Sequence, residues 1–219
     1  MSLQRLRLYQ LVSPALPVGA FSYAEGLEVL VQSGRLGDAA AVRAWLEAEL
    51  ARGSLCLEAA ALSRLMALQG QGDWAGVADL DGWLLAQREA PELRAQQRQM
   101  GGSLVQLLAD LGWPLPAGAP RLAWPAAFAH AARSLELDAA AVVEAYLHGW
   151  VTNQLSAAVR LVPLGPTEAQ RLLLALGPLL AVRGRELAES DTHQLWSGGV
   201  GAGIAQLGQG ELYSRLFRS

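Results

Sequence analysis

Histidine and cysteine are the side chains in this sequence best suited to bind a metal ion or to act in catalysis. The three histidines, His130, His148 and His193, are far apart, and none lies in an H-x-H or H-E-x-x-H spacing or pairs with Cys56. A zinc or nickel site needs three or four ligands that converge. The sequence therefore predicts no tight metal site within one chain, and leaves open a symmetric site with one histidine from each of two copies. Cys56 lies in a leucine-rich stretch and is expected to be a small core residue.

Two further patterns could carry chemistry, and both have a simpler interpretation. Asp79 and Asp81 could bind Mg²⁺ together, but side chains two positions apart on a helix point about 200° apart. We therefore interpret them as an exposed helix face. The glycines from Gly199 to Gly203 resemble part of a dinucleotide-binding loop but lack the preceding strand and the later acidic residue. A hinge or a close helix contact explains them better.

The composition excludes several classes of protein. Of the 219 residues, 52% are hydrophobic and only 17% are charged, which excludes intrinsic disorder and favours a surface with interfaces. The net charge of −3 does not resemble the basic surface of a nucleic-acid binder. The absence of lysine excludes a phosphate-loop lysine and a Schiff-base lysine. No apolar run is long enough to span a membrane, and the start does not resemble a signal peptide. The single cysteine excludes an intramolecular disulfide framework and is compatible with a reducing cytoplasm.

The periodicity of the sequence predicts the elements that must position any functional residue. Apolar residues recur at the helical period and alternating strand patterns are nearly absent, so we expect one all-α domain, residues 1–219, of about ten helices. Ser22 with Glu25 and Thr167 with Gln170 have the spacing of capping boxes, and Asp38 is expected to cap another helix. The proline-rich segment 112–125 is predicted to be a loop. The predicted helices cover 3–12, 22–33, 38 to the break at 53, 55–68, 77–87, 91–111, 126–135, 138–161 and 167–187.

Three features are not explained by helix packing alone. The proline-rich turn, residues 13–28, is stiffened by its prolines and presents Phe21 beside other apolar groups. A polar stripe recurs every four residues on the helix that starts at Asp138, at His148, Thr152, Ser156 and Arg160. Such a stripe is usually the solvated face of a helix, but this one has no charge before Arg160 and fits a buried partner or a water-filled passage somewhat better. The end of the chain, 204–219, is expected to be a flexible docking tail, because it follows glycines and combines aromatic with arginine side chains.

Four segments together resemble the UreF family of urease accessory proteins. They are LYQLVSPALPVGAFSYAEGLE at 8–28, EAPELRAQQRQMG at 89–101, VRLVPLG at 159–165 and YSRLFRS at 213–219. The first and last are the most specific, and together the four span almost the whole chain. Many relatives have a His-Glu pair before the last motif, whereas this sequence has Gln209-Gly210.

The resemblance implies a cytoplasmic, all-α homodimer without chemistry of its own. Such a protein bridges UreD, also called UreH, and the GTPase UreG, so that Ni²⁺ reaches the urease apoprotein, and it modulates the nucleotide cycle of UreG. Nickel would be handled by the complex and not bound tightly by this chain. The alternative is a generic α-helical interaction scaffold outside urease maturation.

The resemblance also implies which residues contact partners. Phe21, Glu28, Arg160 and Arg215 are expected to face UreG. In the docking tail, Tyr213, Leu216 and Phe217 are expected on one side of a helical turn, with Arg215 and Arg218 available to bind carboxylates or carbonyls. We expect this tail to be mobile in the free chain, so that its removal hardly changes the melting temperature.

Overall fold

A computed structural model describes residues 2–219, except for the side chains of Ser2 and His193. Ten α-helices form its regular structure, with three short 3₁₀ turns at Ala20–Ser22, Thr192–Gln194 and Gln209–Glu211, and these described residues include no strand. This confirms the prediction of an all-α domain of about ten helices. The helices are α1 (Ser2–Leu11), α2 (Leu27–Gln32), α3 (Ala39–Arg52), α4 (Ser54–Gln71), α5 (Trp74–Ala86), α6 (Pro91–Asp110), α7 (Trp124–Ser134), α8 (Ala139–Leu161), α9 (Pro166–Glu189) and α10 (Val200–Gly208).

Helix α4 is the centre of the core. It packs against α3, α5, α7, α8 and α9. Residues 55–62 are buried on every side of the helix, whereas its later turns expose Arg64, Ala67 and Gly70. Helix α8 packs in turn on α9, and α7 packs on α6. None of the helices in the described chain combines the length and the apolar character needed to cross a bilayer.

Aspartates begin three of the helices in the way that the sequence suggests for Asp38. The carboxylates of Asp38, Asp73 and Asp138 accept hydrogen bonds of 2.8, 2.9 and 3.1 Å from main-chain N–H groups three positions later. Each bond satisfies a donor that the first turn of a helix leaves unpaired.

The capping box predicted for α9 is wrong. Helix α9 begins at Pro166, with Gly165 as its N-cap and no side-chain cap. Proline is favoured at the first helical position because its fixed φ is already helical. Thr167 therefore lies inside the first turn, where it cannot act as the cap.

The glycine-rich segment before the docking tail was expected to be a hinge or a close contact, and it contains a helix that the sequence analysis did not predict. Helix α10 spans Val200–Gly208, so residue 204, where the predicted tail begins, lies inside a helix. Glycine lowers helix propensity, which concealed this element. Packing of α10 against α2 supplies the stability that local propensity does not.

Gly101 allows the loop before α7 to lie directly on α6. A Cβ atom at this position would be 2.5 Å from the carbonyl oxygen of Leu122 and 2.6 Å from the main-chain carbon of Ala123. The same loop is fixed from the other side by Asp81, whose carboxylate accepts a 3.1 Å hydrogen bond from the Ala123 N–H. Gly102, the next residue, is exposed and has no atom within 4 Å of its Cβ position.

We therefore expect opposite effects from two adjacent substitutions. Gly101→Ala forces main chain apart and should lower the free energy of unfolding by about 1–3 kcal/mol or more. Gly102→Ala should be neutral or stabilising by up to about 1 kcal/mol, because alanine favours the helix. Urea unfolding followed by circular dichroism measures both, and equal stabilities would contradict the close approach of the loop to α6.

Candidate partner-binding surface

Residues 212–219, the end segment, run back across the start of α2. The Arg218 N–H donates to the carbonyl oxygen of Ser22 at 2.9 Å, and the main-chain oxygen of Ser219 accepts from the N–H groups of Ala24 and Glu25 at 2.8 and 2.9 Å. The end segment therefore packs on the body of the same chain, beside the proline-rich turn. Its mobility in the free protein stays a prediction.

The local backbone before α2 explains how this turn binds the end segment. Glu25 and Gly26 both have left-handed backbones, with φ of 51° and 86°, and α2 starts only at Leu27. The predicted capping box of Ser22 and Glu25 is therefore wrong. The Glu25 N–H donates to Ser219, and its carboxylate accepts hydrogen bonds inside the protein. At Gly26 a Cβ atom would lie 2.9 Å from the main-chain nitrogen of Gln206 in α10. Both the positive φ and this close approach therefore require glycine at this position.

The carboxylate of Glu28 holds the middle of the end segment. It accepts hydrogen bonds from the main-chain N–H groups of Leu216, at 2.7 Å, and Phe217, at 3.0 Å. The side-chain amide of Gln209 donates to the same carboxylate at 3.3 Å. Glu28 is only 3% exposed, so in this conformation it faces the end segment and not a partner.

Phe217, Arg160 and Phe21 meet at one edge of this contact. Phe217 is 4% exposed, and the Arg160 guanidinium carbon lies 4.6 Å from the centre of its ring. Nη1 of Arg160 also lies 3.5 Å from the carbonyl oxygen of Phe21. The Phe21 side chain is exposed. The Arg160 guanidinium therefore covers the buried Phe217 ring, and the exposed Phe21 residue lies next to it.

The remaining predicted tail residues point outward. Tyr213 and Leu216 are exposed, as are Arg215 and Arg218. The expectation that Tyr213, Leu216 and Phe217 share one side is wrong, because the segment is not helical after Glu211. The N–H groups of residues 216 and 217 bond to Glu28 and not to a preceding turn.

Helix α10 adds an exposed apolar stripe to this surface. Trp196, which is 78% exposed, is followed by exposed Val200, Ile204 and Leu207 at spacings of four, four and three. An apolar stripe normally faces a core, so an exposed one indicates an interface. This spacing was present in the sequence and could have predicted both the helix and its exposed face.

A buried polar network lies beneath the surface. Glu25 accepts from the Gln96 side-chain amide at 2.8 Å and from the Trp150 indole N–H at 3.1 Å. Glu58 and Arg88, both nearly inaccessible, form an ion pair of 2.6 Å. Burial raises the pKa of Glu58, and Arg88 opposes that shift. Burial alone would lower the pKa of Arg88. The negative charge of Glu58 and, to a lesser extent, that of Glu25 nevertheless raise this pKa above its ordinary value.

The polar stripe of α8 lies at the rim of a cavity. His148, Ser156 and Arg160 are exposed and Thr152 is half-buried, so most of the stripe faces solvent. Thr152 and Ser156 also line a cavity of about 180 Å³ beside the proline-rich turn.

The candidate metal-binding residues do not come together where the structure describes them. His130 is buried, its Nε2 lies 3.3 Å from the carbonyl oxygen of Trp113, and burial lowers its pKa. His148 is exposed on α8, and the side chain of His193 lies outside the described residues. In the described part of the chain no three side chains of His, Cys, Asp or Glu are grouped to hold a metal ion. Cys56 is buried and donates to the carbonyl oxygen of Leu50 at 3.2 Å.

The two aspartates of α5 point in different directions, as the helical spacing requires. Asp79 is exposed, whereas Asp81 is buried against the loop before α7. The prediction that both belong to an exposed face is therefore wrong for Asp81.

Comparison with known proteins decides the family. The family model of UreF matches residues 36–177. The urease accessory protein UreF of Microcystis aeruginosa is 41% identical over 215 residues, which cover 98% of this chain and 97% of the relative. The UreF protein of an Azoarcus species is 44% identical over 230 residues, with 98% of this chain and 95% of the relative covered. The chain belongs to the UreF family.

The UreF family is one of accessory proteins and not of enzymes. Gln209 is the first residue of the 3₁₀ turn that follows α10. Gln209 is fully buried and donates to both Glu28 and the carbonyl oxygen of Phe217. In this UreF protein the position therefore holds the end segment in place.

The first prediction from this site concerns the stability of the end segment. The sequence alone suggests that removing residues 213–219 hardly changes the melting temperature, but the buried Phe217 leads us to expect the opposite. Phe217→Ala should lower the free energy of unfolding by up to about 3–5 kcal/mol, whereas Tyr213→Ala, at a fully exposed position, should change it by less than about 0.5 kcal/mol. Thermal unfolding of both variants is the measurement, and equal melting temperatures would show that the end segment does not stabilise the fold.

The second prediction concerns Glu49, a buried residue of α3 beside Gly53 and Gly199. Burial raises its pKa from 4.5 to about 7. The folded protein therefore keeps a proton that the unfolded chain releases, so this residue makes stability fall as the pH rises from 4.5 to about 7.

Glu49→Gln should remove this part of the pH dependence of the free energy of unfolding, which amounts to about 2–3 kcal/mol between pH 4.5 and pH 7. Urea unfolding at intervals from pH 4.5 to 7.5 measures it. Glu47→Gln, on the exposed part of the same helix, is the matched control and should keep the slope. Burial raises the pKa of Asp81 to about 6. In every variant Asp81 therefore adds its own decrease of the free energy of unfolding with pH, centred at lower pH than that of Glu49. A slope unchanged by Glu49→Gln would exclude the residue as its source.

Proposed function

We propose that this protein is a urease maturation factor, a dimeric scaffold in the cytoplasm that connects UreD, also called UreH, to the GTPase UreG. The assembly delivers Ni²⁺ to the urease apoprotein, and the scaffold modulates the nucleotide cycle of UreG. Membership of the UreF family supports the urease role. The partners, the dimer and the effect on UreG follow from the motif resemblance.

The observation that carries the proposal is the arrangement of the end segment. Buried groups, chiefly Glu28 and Phe217, fix a short non-helical segment so that its other side chains are presented to solvent. Holding binding residues in place before contact reduces the entropy lost on association. This arrangement suits a scaffold better than it suits a catalyst.

The exposed residues divide into two groups by position. Phe21 and Arg160 lie together beside the proline-rich turn and, with Arg215, are assigned to UreG. Tyr213, Leu216 and Arg218, with the exposed stripe of α10, are assigned to UreD. Aromatic and arginine side chains are the most frequent anchors of protein interfaces. Glu28 and Phe217 act on both contacts indirectly, by positioning the end segment.

Substitution of the exposed pair tests the UreG contact. Phe21→Ala and Arg160→Ala should each weaken capture of UreG by about tenfold or more, the effect of losing one interface anchor, and should leave UreD capture intact. Arg171→Ala is the control, because Arg171 is an exposed arginine of α9 that forms a surface ion pair with Glu168. If both variants bind UreG as the control does, the assignment is wrong.

A co-purification experiment separates the urease maturation factor from a generic scaffold. Co-purification from cells that contain urease, followed by light scattering, should give a complex with UreD, UreG and urease subunits that contains two copies of this chain. A captured set without urease proteins would favour a generic scaffold. A complex with one copy would contradict the dimer.

A further inference from the structure

A cavity of about 180 Å³ lies between the proline-rich turn and helices α6, α7 and α8. Its walls are mostly apolar, with side chains from Val12, Leu16, Val18, Met100 and Phe128. At about 30 Å³ for each water in the liquid, its volume equals that of some six water molecules. This is room for one long side chain or a small molecule of similar size, and not for a nucleotide.

The cavity also has polar lining residues, and one of them is a carboxylate that forms no ion pair. Glu25 lines the cavity and is 7% exposed. Its hydrogen bonds come from the neutral donors of Gln96 and Trp150, and in the described chain no arginine lies within ion-pair distance of it. Glu58 also lines the cavity, but its charge is balanced by Arg88. Arg88 interacts with Glu25 electrostatically but forms its ion pair with Glu58. The two buried carboxylates therefore share one cation, which leaves a net negative charge that is costly in a buried site.

Glu25 keeps hydrogen-bonding capacity at the cavity. A carboxylate has about four acceptor positions, and Gln96 and Trp150 use two of those of Glu25. The neighbouring Glu58 already accepts from the Tyr146 hydroxyl at 2.7 Å and from Arg88 at 2.8 Å. Glu25 is therefore an acceptor that remains available to a ligand with several donors.

Among cations, these features favour one chemical class. A hydrated metal ion does not match apolar walls, and hard cations bind through several oxygen ligands and retained waters. A guanidinium needs planar acceptors that receive five donors. An ammonium group on an aliphatic stem is a compact charge with three donors, and its stem matches the walls.

We propose that this cavity binds a primary ammonium group carried on a short aliphatic chain, with Glu25 as its counter-ion. The chain has no lysine, so the group comes from another molecule. A lysine of a bound protein and a free alkylamine share this chemistry.

The test uses the isolated full chain and n-butylammonium chloride. Titration should shift the indole N–H resonance of Trp150, which bonds to Glu25, in a saturable way. n-Butanol, with the same stem and no charge, should bind about tenfold more weakly or worse, the difference expected for a hydrogen bond to a charged group. Equal binding of the two, a shift produced equally by MgCl₂, or no saturable shift would each overturn the proposal.

Variants at Gly149 and Glu25 locate the site. Gly149 lines the cavity, and a Cβ there would make ordinary contact with Val12 at 3.7 Å. Gly149→Ala should therefore retain binding of butylammonium, whereas Gly149→Leu should fill the cavity and abolish it. Glu25→Gln should weaken binding about tenfold through loss of the charge. If Glu25→Gln does not fold, the two Gly149 variants decide the question, and equal binding by them would overturn the proposal.

A second arm identifies the source of the ammonium group. If it is a lysine of UreD or UreG, Gly149→Leu should weaken capture of that protein and Gly149→Ala should not. If capture is the same for both variants, the ligand is a free amine. Failure to capture any urease protein would contradict the proposed function and leave the butylammonium result standing.

Discussion

The hydrogen bonds from the N–H groups of Leu216 and Phe217 to the Glu28 carboxylate determine how the end segment lies on the body. Bonds to a charged acceptor are stronger than neutral ones, and an unpaired buried carboxylate is costly. Glu28 and the end segment therefore stabilise each other. Once these bonds form, Phe217 is buried under Arg160, and the neighbouring residues are held on the outside.

The buried network around Glu25 connects this surface to the core. The main-chain N–H of Glu25 bonds to the end segment, while its side chain bonds to α6 and α8 through Gln96 and Trp150. The left-handed backbone of Glu25 and Gly26 makes both sets of bonds available from one residue. A single turn thereby joins the candidate binding surface, the cavity and the helical core.

Most of the helices could be predicted from the sequence, because their signals are local. Asp38 caps α3, proline opens α6, and the apolar period marks α4 and α8. The error at the start of α9 is local, because Pro166 begins that helix one residue before Thr167. The other two errors occur where a distant contact decides the conformation. Ser22 and Glu25 have the spacing of a capping box, but Glu25 is drawn into the interior, and α10 forms despite its glycines because α2 covers one side of it.

The candidate site shows the same division. Exposure of Phe21 and Tyr213 agrees with roles in binding, whereas the burial of Glu28 and Phe217 could not be read from the motif alone. Motif letters do not indicate which side chain points inward when the segment has no regular period. In the proposed scaffold, Phe21 and Tyr213 contact partners directly, and Glu28 and Phe217 support the segment that presents them.

The separation along the chain of the residues that form this surface has a kinetic consequence. Glu25 with Gln206, and Glu28 with residues 209, 216 and 217, are 181 to 189 positions apart. Bringing together residues so far apart in the sequence costs a large loop-closure entropy before the intervening helices have formed. During synthesis the core can therefore assemble first, and the surface is completed only when residue 217 has left the ribosome. A nascent chain that still lacks these residues can form most of the core but not this surface, which is therefore the last part of the fold to assemble.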